Sequence, residues 1–412
     1  MPPLQKRLLF TLLGVFLFAL LVGVAFVHVS GGFARPLQGG GSQYVGLARS
    51  LAAGRGYLWD GAPHLGRLPL WPAVLAVPAR IFPHASDGVL LRVTGVVVHA
   101  FTALLLGLLA YRLWPDLRIA ALSGAFFAIY PASLALLDDG HSECAFALVA
   151  IAGLWLSLRR WPWSLAGAFL LGCSVLAYST LIVLPFVMIA IAFARRVSIC
   201  WKRVLPLAIV FFVPASCWIL RNYFDSGDFP LLTAIDGEQL YGGNNPVAAN
   251  DLLYWGYWVL PDEIPGQTPK RVLFAQLGEA GMNRYYLRKG FEYAKNHARE
   301  YPRLLVGKLV RGFVPVPWLP SISALLANLI RLLLYVVAVW SVFKRRITDS
   351  LFSNFLLALF LTTLANTLIY YGTFHITFCL DIFLILTAAA QAIHVSNFGR
   401  RRSMETAELT SR

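Results

Sequence analysis

An uncharged apolar run near the start of the chain decides its class: residues 8–27 read LLFTLLGVFLFALLVGVAFV. About 20 apolar residues in a helix are enough to cross the hydrocarbon core of a bilayer. Lys6 and Arg7 precede the run, as in a signal peptide, but no small-residue cleavage site follows it cleanly. We therefore interpret the run as a retained first transmembrane helix.

Apolar stretches of this kind recur along the whole chain. Including the first, they cover residues 8–27, 89–111, 119–137, 143–158, 163–178, 180–194, 204–220, 321–343, 351–372 and 374–393. The stretches 163–178 and 180–194 also fit one broken helix, because only a short polar break separates them. The sequence predicts an all-α polytopic membrane protein with about ten transmembrane helices, within a range of nine to eleven.

The composition excludes a soluble domain. Hydrophobic residues make up 58% of the chain and charged residues 13%, whereas soluble domains have roughly 45–50% and about 25%. The mean hydropathy is +0.66. The five cysteines lack the spacing of a metal or redox site, so we interpret them as small apolar side chains.

The basic residues predict the orientation. They cluster in the connections on one side of the apolar stretches: Lys6-Arg7, Arg112 with Arg118, Arg159-Arg160, Arg195-Arg196 with Lys202-Arg203, Lys344-Arg345-Arg346, and Arg400-Arg401-Arg402. The positive-inside rule makes that side cytoplasmic and places both termini there. The net charge of +15 then reflects helix ends that meet lipid headgroups, and we predict no nucleic-acid partner.

The opposite side receives two long segments, residues 28–88 and 221–320. In the first, residues 44–53 have helical spacing and Gly54-Arg55-Gly56 ends the helix; residues 68–78 suit an interfacial helix. The second has turns to about residue 268 and then helical periodicity, which predicts a partly ordered cap. We expect three modules, residues 1–220, 221–320 and 321–412.

An acidic turn, Asp138-Asp139-Gly140-His141-Ser142-Glu143, faces the same outer side. A helix N-terminus keeps a carboxylate ionised, as a general base requires. Asp139, Glu143 and Asp138 are therefore the candidate catalytic residues, and His141 is a candidate binding residue. The alternative is a solvated turn in which Ser142 caps the next helix.

A second group of candidates would bind substrate. Arg221 lies at the outer end of a span, against the charge pattern, and its forked guanidinium suits a phosphate; an interfacial arginine with no ligand is the alternative. Its neighbour Asn222 and the later Tyr241, Asn244 and Asn245 offer donors and acceptors for sugar hydroxyls, although the same residues also suit a tight turn.

Three further basic residues could bind an anionic group of the substrate or of a lipid. Arg92 and Arg331 lie within predicted spans, where an ionisable group costs several kcal/mol (about 2.5–3.5) unless it is paired or hydrated. Arg92 lies near the outer end and can reach an anionic headgroup, whereas Arg331 has no assigned partner. Lys308 adds positive charge to the outer side, before the eighth span.

Several motifs together resemble the GT-C superfamily of integral-membrane glycosyltransferases, in the branch of protein mannosyltransferases and aminoarabinose transferases. They are Tyr44-x-x-Leu47-Ala48-x-x-Leu51-x-x-Gly54-x-Gly56-Tyr57, residues 68–78, Tyr130-Pro131…Asp138-Asp139…Glu143, Arg221-Asn222-Tyr223 with Leu240-Tyr241-x-x-Asn244-Asn245-Pro246, and Tyr301-Pro302…Lys308-Leu309. They extend over most of the chain. The resemblance makes Tyr44 a further candidate binding residue.

Two departures from that family concern its chemistry. The family usually has an acidic residue four positions before the tyrosine that matches Tyr44, and this acid is commonly taken as the base; here the position is Gly40. The family also tends to have an Arg-Tyr-Arg-like stretch before its last span, where this chain has residues 373–377, Thr-Phe-His-Ile-Thr. Either another carboxylate serves as the base or the chain is a degenerate member.

The resemblance implies transfer of a sugar from a polyprenyl-phosphate donor to a glycan, lipid or protein acceptor at the outer face of a bacterial inner membrane. No cofactor is required, and a divalent metal is possible but not implied, because the carrier phosphate is already charged. Membrane lipids are further partners. Two alternatives stay open: a transporter or flippase of a lipid-linked or anionic substrate, with Arg92 and Arg331 along its path, and a non-catalytic scaffold.

Overall fold

The computed structural model describes the backbone of residues 3–37, 39–227, 232–313, 322–343 and 350–410. Within these ranges, the side chains of residues 139, 322–327, 342, 343, 350 and 396–410 are left undescribed. The basic group at 344–346 and the side chains of the group at 400–402 thus lie outside the described part of the chain.

The described chain is helical almost throughout. Its helices are α1 (Pro3–Val29), α2 (Gly40–Ala52), α3 (Leu70–Ile81), α4 (Asp87–Leu113), α5 (Leu117–Ile129), α6 (Pro131–Asp139), α7 (Glu143–Ser157), α8 (Trp163–Val175), α9 (Leu184–Ala194), α10 (Trp201–Ser226), α11 (Asp236–Gly243), α12 (Pro246–Asn250), α13 (Lys270–Asn296), α14 (Tyr301–Phe313), α15 (Ile322–Phe343), α16 (Ser350–Ile369) and α17 (Phe374–Thr410). Two 3₁₀ turns, Ser179–Val183 and Pro261–Glu263, and a short hairpin of β1 (Leu58–Trp59) and β2 (Ala62–Pro63) complete it.

This architecture confirms the prediction of an all-α integral membrane protein, since each predicted apolar stretch forms one helix or a consecutive pair. Among the described residues, α1, α4, α10, Leu351–Ile369 and Phe374–Val395 are long and apolar enough to span a membrane. The pair α5 and α6 adds a bent sixth. The other predicted spans correspond to shorter apolar helices of 10–17 residues: α7, α8, residues 179–194 and residues 328–341.

The bend between α5 and α6 measures 46° and has a local cause. Pro131 has no N–H to donate and disfavours helical angles in the residue before it. Tyr130 accordingly has an extended backbone, with φ −66° and ψ 123°. The Ser133 hydroxyl donates to Phe127 O (2.8 Å) and Tyr130 O (2.7 Å), which satisfies carbonyl groups at the break.

Small residues allow the helices to pack closely. A Cβ atom at Gly124 of α5 would lie 2.7 Å from Ala103 O of α4, and one at Gly167 of α8 would lie 2.7 Å from Gly153 O of α7. Lipid tails are as apolar as leucine side chains, so helices in a membrane associate mainly through such backbone approach. Larger side chains at these glycines would push the helix pairs apart.

Both long loop segments lie at one end of the helix bundle, here called the loop face. The predicted helix at 44–53 is present as α2, and Gly54 and Gly56 follow it with φ of 73° and 91°. The segment 68–78 is present as α3, which buries Trp71 and Leu75 while Val77 and Ile81 are each 63% exposed. This two-sided burial suits a helix lying at the membrane interface.

The second segment forms α11–α14 and contacts the first. Residues 221–226 continue α10, so the module boundary predicted at 220 falls inside that helix, while the boundary at 320 lies outside the described residues. Ala234 N donates to Leu65 O (2.9 Å), and the Thr233 hydroxyl donates to Gly66 O (3.1 Å). The two loop segments therefore form one layer over the bundle.

Arg331 has a partner that the sequence did not reveal. In α17, Asp381 Oδ2 lies 3.4 Å from Arg331 Nε. The hydroxyls of Tyr130 and Tyr335 each donate to the Asp381 carboxylate at 2.7 Å, and Arg331 Nη2 donates to Thr377 Oγ1 at 2.6 Å. A buried charge pair is tolerated when further hydrogen bonds satisfy its atoms, so this network ties α15 and α17 to the α5–α6 break.

Candidate functional site

A cavity of about 160 Å³ opens at the loop face, where helix ends from distant parts of the chain meet. It is lined by polar and aromatic side chains of both loop segments and of the ends of α7, α16 and α17, among them Tyr44, Arg67, Ser142, Glu143, Tyr178, Thr180, Asp236, Gln239, Asn366, Tyr370, Tyr371 and His375. We call it the polar cavity.

The acidic turn reaches the polar cavity through the reversal between α6 and α7. Gly140 caps α6 with φ 66°, an angle that favours glycine. The indole of Trp71 in α3 donates to Gly140 O at 2.8 Å, and the Ser142 hydroxyl donates to Ala177 O at 3.1 Å. These contacts fix the turn, so that Glu143, the first residue of α7, lines the cavity wall.

Glu143 lies in a cluster with two histidines. His375, at the start of α17, places Nδ1 3.3 Å from Glu143 Oε1. The rings of His141 and His375 have centroids 4.4 Å apart. One ligand atom from each of His141, Glu143 and His375 lies within 4.8 Å of the other two. Imidazole nitrogens and a carboxylate at this separation can share protons or a metal ion.

Asp236 is a second carboxylate at the polar cavity. It begins α11, which is held against α13 because Gly237 N donates to Asn283 Oδ1 at 2.6 Å. Burial raises the pKa of Asp236 from its ordinary 3.8 to about 6. The charge of Asp236 adds to burial in raising the pKa of Tyr370 to about 12. Among the described residues, none donates a hydrogen bond to the Asp236 carboxylate.

Arg67 supplies the cation at the polar cavity. Its Nε donates to Gln43 Oε1 at 2.8 Å, and its guanidinium lies 5.1 Å from the centroid of the Tyr44 ring. The backbone is held as well, because the Tyr57 hydroxyl donates to Arg67 O at 3.0 Å. Neither Nη atom donates to another described residue, so the outer edge of the fork is available to a ligand.

The loop that carries Arg67 is anchored to the second loop segment. Leu65 N donates to Glu279 Oε2 at 2.8 Å, and His64 Nδ1 lies 3.2 Å from Glu279 Oε1. Burial, aided by the charge of Arg67, lowers the pKa of His64 to about 4, and burial raises the pKa of Glu279. At neutral pH the His64 imidazole is therefore neutral, and the contacts with Glu279 hold the loop that carries Arg67.

The predicted catalytic acids are separated by the structure. Glu143 lines the polar cavity, whereas Asp138 pairs with Arg35, its Oδ1 lying 2.5 Å from Nη2. Asp138 Oδ1 is also 3.7 Å from Nε of Arg92. Arg92 Nη1 donates to Phe33 O at 3.0 Å, so these residues connect α4, α6 and the start of the first loop segment. The Asp139 side chain lies outside the described residues.

Of the predicted binding residues, Tyr44 lines the polar cavity and Arg221 does not. Arg221 Nη2 lies 2.7 Å from Asp225 Oδ2, and its Nη1 donates to His64 O at 2.9 Å. Asn222 is fully buried and donates to Leu232 O at 3.2 Å. Both side chains thus tie the end of α10 to the loop segments.

Lys308 and the asparagines form a separate buried cluster. Lys308 Nζ donates to Asn244 Oδ1 at 2.8 Å and to Leu368 O at 3.0 Å. Burial lowers the pKa of Lys308 to about 7. Asn245 caps α12 by accepting from Ala248 N at 2.9 Å. The ring of Tyr241 stacks on Tyr286, with centroids 5.9 Å apart. These predicted residues do not line the polar cavity.

Of the residues that line the polar cavity, only Tyr44 and Glu143 were among the predicted site residues; the arginine, the aspartate and the histidine of the cavity, Arg67, Asp236 and His375, were not. Arg67 is one of several arginines in the first loop segment, and nothing in its local sequence distinguishes it. Asp236 is likewise one of several acids in the second segment. His375 falls in the stretch 373–377 that departs from the family pattern, and this departure was the one available signal.

Comparison with known proteins identifies no matching family model and no matching curated protein. Solved structures that resemble this chain include ArnT from Cupriavidus metallidurans bound to undecaprenyl phosphate, with 15% identity. The apo state of the same protein has 14% identity. In both cases the alignment covers 91% of this chain and 76% of that chain, with a TM-score of 0.44. At these values the likeness assigns neither a reaction nor a substrate to this chain.

Proposed function

We propose that this protein is a glycosyltransferase that moves a sugar from a polyprenyl-phosphate carrier to an acceptor hydroxyl in the polar cavity. The observation that carries the proposal is the pairing, in one cavity, of a carboxylate without a hydrogen-bonding partner among the described residues and an arginine whose Nη atoms face no described acceptor. The reaction class is inferred from the motifs that resemble the GT-C superfamily. The Asp236 carboxylate and the Arg67 guanidinium, which line the cavity, are suited to that reaction as base and phosphate ligand.

Asp236 is the general base in this proposal. Its carboxylate accepts the proton of the acceptor hydroxyl as the acceptor oxygen bonds to the anomeric carbon of the sugar. The bond from that carbon to the phosphate oxygen breaks, and its electron pair leaves with the polyprenyl phosphate. A base with a pKa of about 6 is ionised at neutral pH and is more basic than an ordinary aspartate, as proton abstraction requires.

Arg67 binds the phosphate of the donor. The charge on the leaving group increases as the bond to the sugar breaks, so a fixed guanidinium stabilises the transition state more than the ground state. The contacts to Gln43 and Tyr44 hold the fork without neutralising it. Gly40 contributes by its small size, since a Cβ atom there would lie 3.3 Å from Arg67 Nη2.

The prenyl chain requires an apolar channel that approaches the phosphate site. A cavity of about 540 Å³ lies among α15, α16 and α17 and is lined by residues such as Tyr335, Phe360 and Leu384. Helices α16 and α17 also line the polar cavity, through Asn366 and His375. We place the chain in this apolar cavity rather than beside α3, whose inner face is filled by its own buried side chains.

The transporter alternative has less support. It requires Arg92 and Arg331 along a substrate path, yet Arg92 donates to backbone carbonyls of the first loop segment and Arg331 pairs with Asp381. The scaffold alternative rests on Gly40. A cavity that still holds a guanidinium and two carboxylates favours an active enzyme.

We also propose on which side of the membrane the polar cavity opens. The described basic groups lie at helix ends opposite the loop face, which supports a cytoplasmic position for that end of the bundle. The polar cavity then opens on the outer side of a bacterial inner membrane. A lipid-linked donor and a glycan, lipid or protein acceptor would meet there.

The test is a donor assay on purified protein in vesicles. Undecaprenyl-phosphate-linked sugars are supplied one at a time with candidate acceptors, and release of undecaprenyl phosphate is measured by mass spectrometry. We expect release with at least one donor and strong reduction in Arg67→Ala. Equal release by the parent and by Arg67→Ala would contradict the proposed site.

A further inference from the structure

We infer that His141, Glu143 and His375 bind one divalent ion of the zinc type at the wall of the polar cavity. His141 lies in the turn before α7, Glu143 is the first residue of α7, and His375 lies at the start of α17. Glu143 and His375 are 232 positions apart in the chain, yet their side chains meet. One ligand atom from each lies within 4.8 Å of the other two. Glu143 is buried and both histidines are partly buried, unlike a cluster of acids on an exposed surface.

The separation of His375 and Glu143 fits two ligands of one tetrahedral ion. Zinc bonds to imidazole nitrogen and carboxylate oxygen are about 2.0–2.2 Å long, so two ligands of one tetrahedral ion lie about 3.3–3.6 Å apart. The observed separation of His375 Nδ1 and Glu143 Oε1 is 3.3 Å. His375 Nδ1 is buried and has no hydrogen bond of acceptable geometry to a described residue. A metal ion would satisfy this atom.

The type of ligand selects the type of ion. Two imidazoles and one carboxylate suit zinc and neighbouring first-row transition metals, whereas Mg²⁺ and Ca²⁺ prefer oxygen ligands alone. Three protein ligands leave the fourth position of a tetrahedral ion open, as in catalytic rather than structural zinc sites. The turn that supplies two of the ligands is held by the Trp71 hydrogen bond to Gly140 O.

The open position faces the polar cavity, because Glu143 and His375 both line it. If the proposed function is right, and this step rests on it, a phosphate oxygen of the donor takes that position while Arg67 binds another. The ion and the guanidinium then share the negative charge of the departing phosphate. Glu143 acts as a metal ligand in this arrangement, and Asp236 remains the base.

The experiment measures metal binding in the absence of donor. The full chain is purified with a histidine-free tag, stripped with a chelator, and titrated with Zn²⁺ by calorimetry, with bound metal counted by elemental mass spectrometry. We expect one Zn²⁺ per chain, weak or no binding of Mg²⁺, and loss of at least about tenfold in affinity in His141→Ala or His375→Ala, since losing even an outer-shell partner of a metal ligand costs about 10–100-fold.

His84→Ala is the matched control, because His84 is exposed on the connection after α3, and it should bind Zn²⁺ as the parent does. If a histidine variant elutes as misfolded protein, Glu143→Gln, which keeps the side-chain size, replaces it. Parental stoichiometry and affinity in the His141→Ala/His375→Ala double variant would overturn the site, as would a parent that binds no Zn²⁺.

Donor turnover separates this inference from the proposed function. Loss of turnover on chelation, restored by Zn²⁺, supports both. Full turnover by metal-free protein contradicts the metal's role and leaves the glycosyltransferase proposal intact. Tight Zn²⁺ binding with no turnover of any donor supports the metal site and contradicts the proposed function.

Discussion

Replacing Asp236 with asparagine should affect catalysis and stability in opposite directions: transfer should fall and the melting temperature should rise. Burial holds the pKa of this carboxyl at about 6, above its ordinary 3.8. The folded protein therefore binds the proton more tightly than the unfolded chain, so stability is lost as pH rises from about 4 through 6. One pKa unit corresponds to about 1.36 kcal/mol, so ionised Asp236 opposes folding by at most about 3 kcal/mol at neutral pH.

Asp236→Asn removes that charge at nearly constant size. We expect the melting temperature at pH 7.5 to rise by a few degrees, and the advantage over the parent to shrink as the pH falls through about 6 and to disappear near pH 4. Transfer should fall by about 10²–10⁴-fold, the usual effect of losing a general base. In the parent, kcat/KM should rise with pH up to about 6 and then level off, because only the ionised carboxylate accepts the proton.

The assays are thermal unfolding in detergent and initial rates of polyprenyl phosphate release across pH 4.5–8.5. Asp60→Asn is the matched control, since Asp60 is exposed in the turn of the β1–β2 hairpin at a positive φ of 50°, which asparagine adopts readily. Parental transfer by Asp236→Asn would refute the role of this carboxylate. An unchanged melting temperature would refute the burial argument.

Arg67→Lys should raise the donor KM by about 10–100-fold in steady-state kinetics, because the forked contacts to phosphate are lost; an unchanged KM removes Arg67 from the site. Gly40→Asp should lower transfer, since the new carboxylate would pair with Arg67; recovery of transfer from an inactive parent would instead favour the scaffold alternative. Arg221→Lys should lower the melting temperature by more than it changes the donor KM, as its contacts are internal; the reverse would make Arg221 a ligand after all. In a background without the native cysteines, cysteines at positions 60 and 250 should react with impermeant reagents from outside; cytoplasmic labelling of either would overturn the orientation.

Much of the fold is predictable from the sequence because its signals are local. An apolar stretch becomes a helix wherever it lies in a membrane, since its backbone has no water to bond. The glycines after α2 and at the end of α6 mark helix ends through their positive φ, and Pro131 marks the bend. Helix lengths are less predictable, because packing decides how far a short run such as 180–194 continues.

The site is less predictable because its residues are distant in sequence. Glu143 was identified by its place at a helix start, which is local. Arg67 and Asp236 were not, since each has the same local signals as its exposed neighbours. The positive charge of Arg221 suggested a phosphate ligand, yet Asp225, one turn along the helix, pairs with it. Which charges are paired within the protein is decided by tertiary contacts, and these are not visible in one sequence.

The most direct test of the central claim is a structure of the protein with undecaprenyl phosphate bound. We predict density for the phosphate in the polar cavity, with oxygen atoms about 3 Å from the Nη atoms of Arg67, and for the prenyl chain between α15, α16 and α17. Phosphate bound at Arg221 or Lys308 instead, with the polar cavity empty of ligand, would contradict the account.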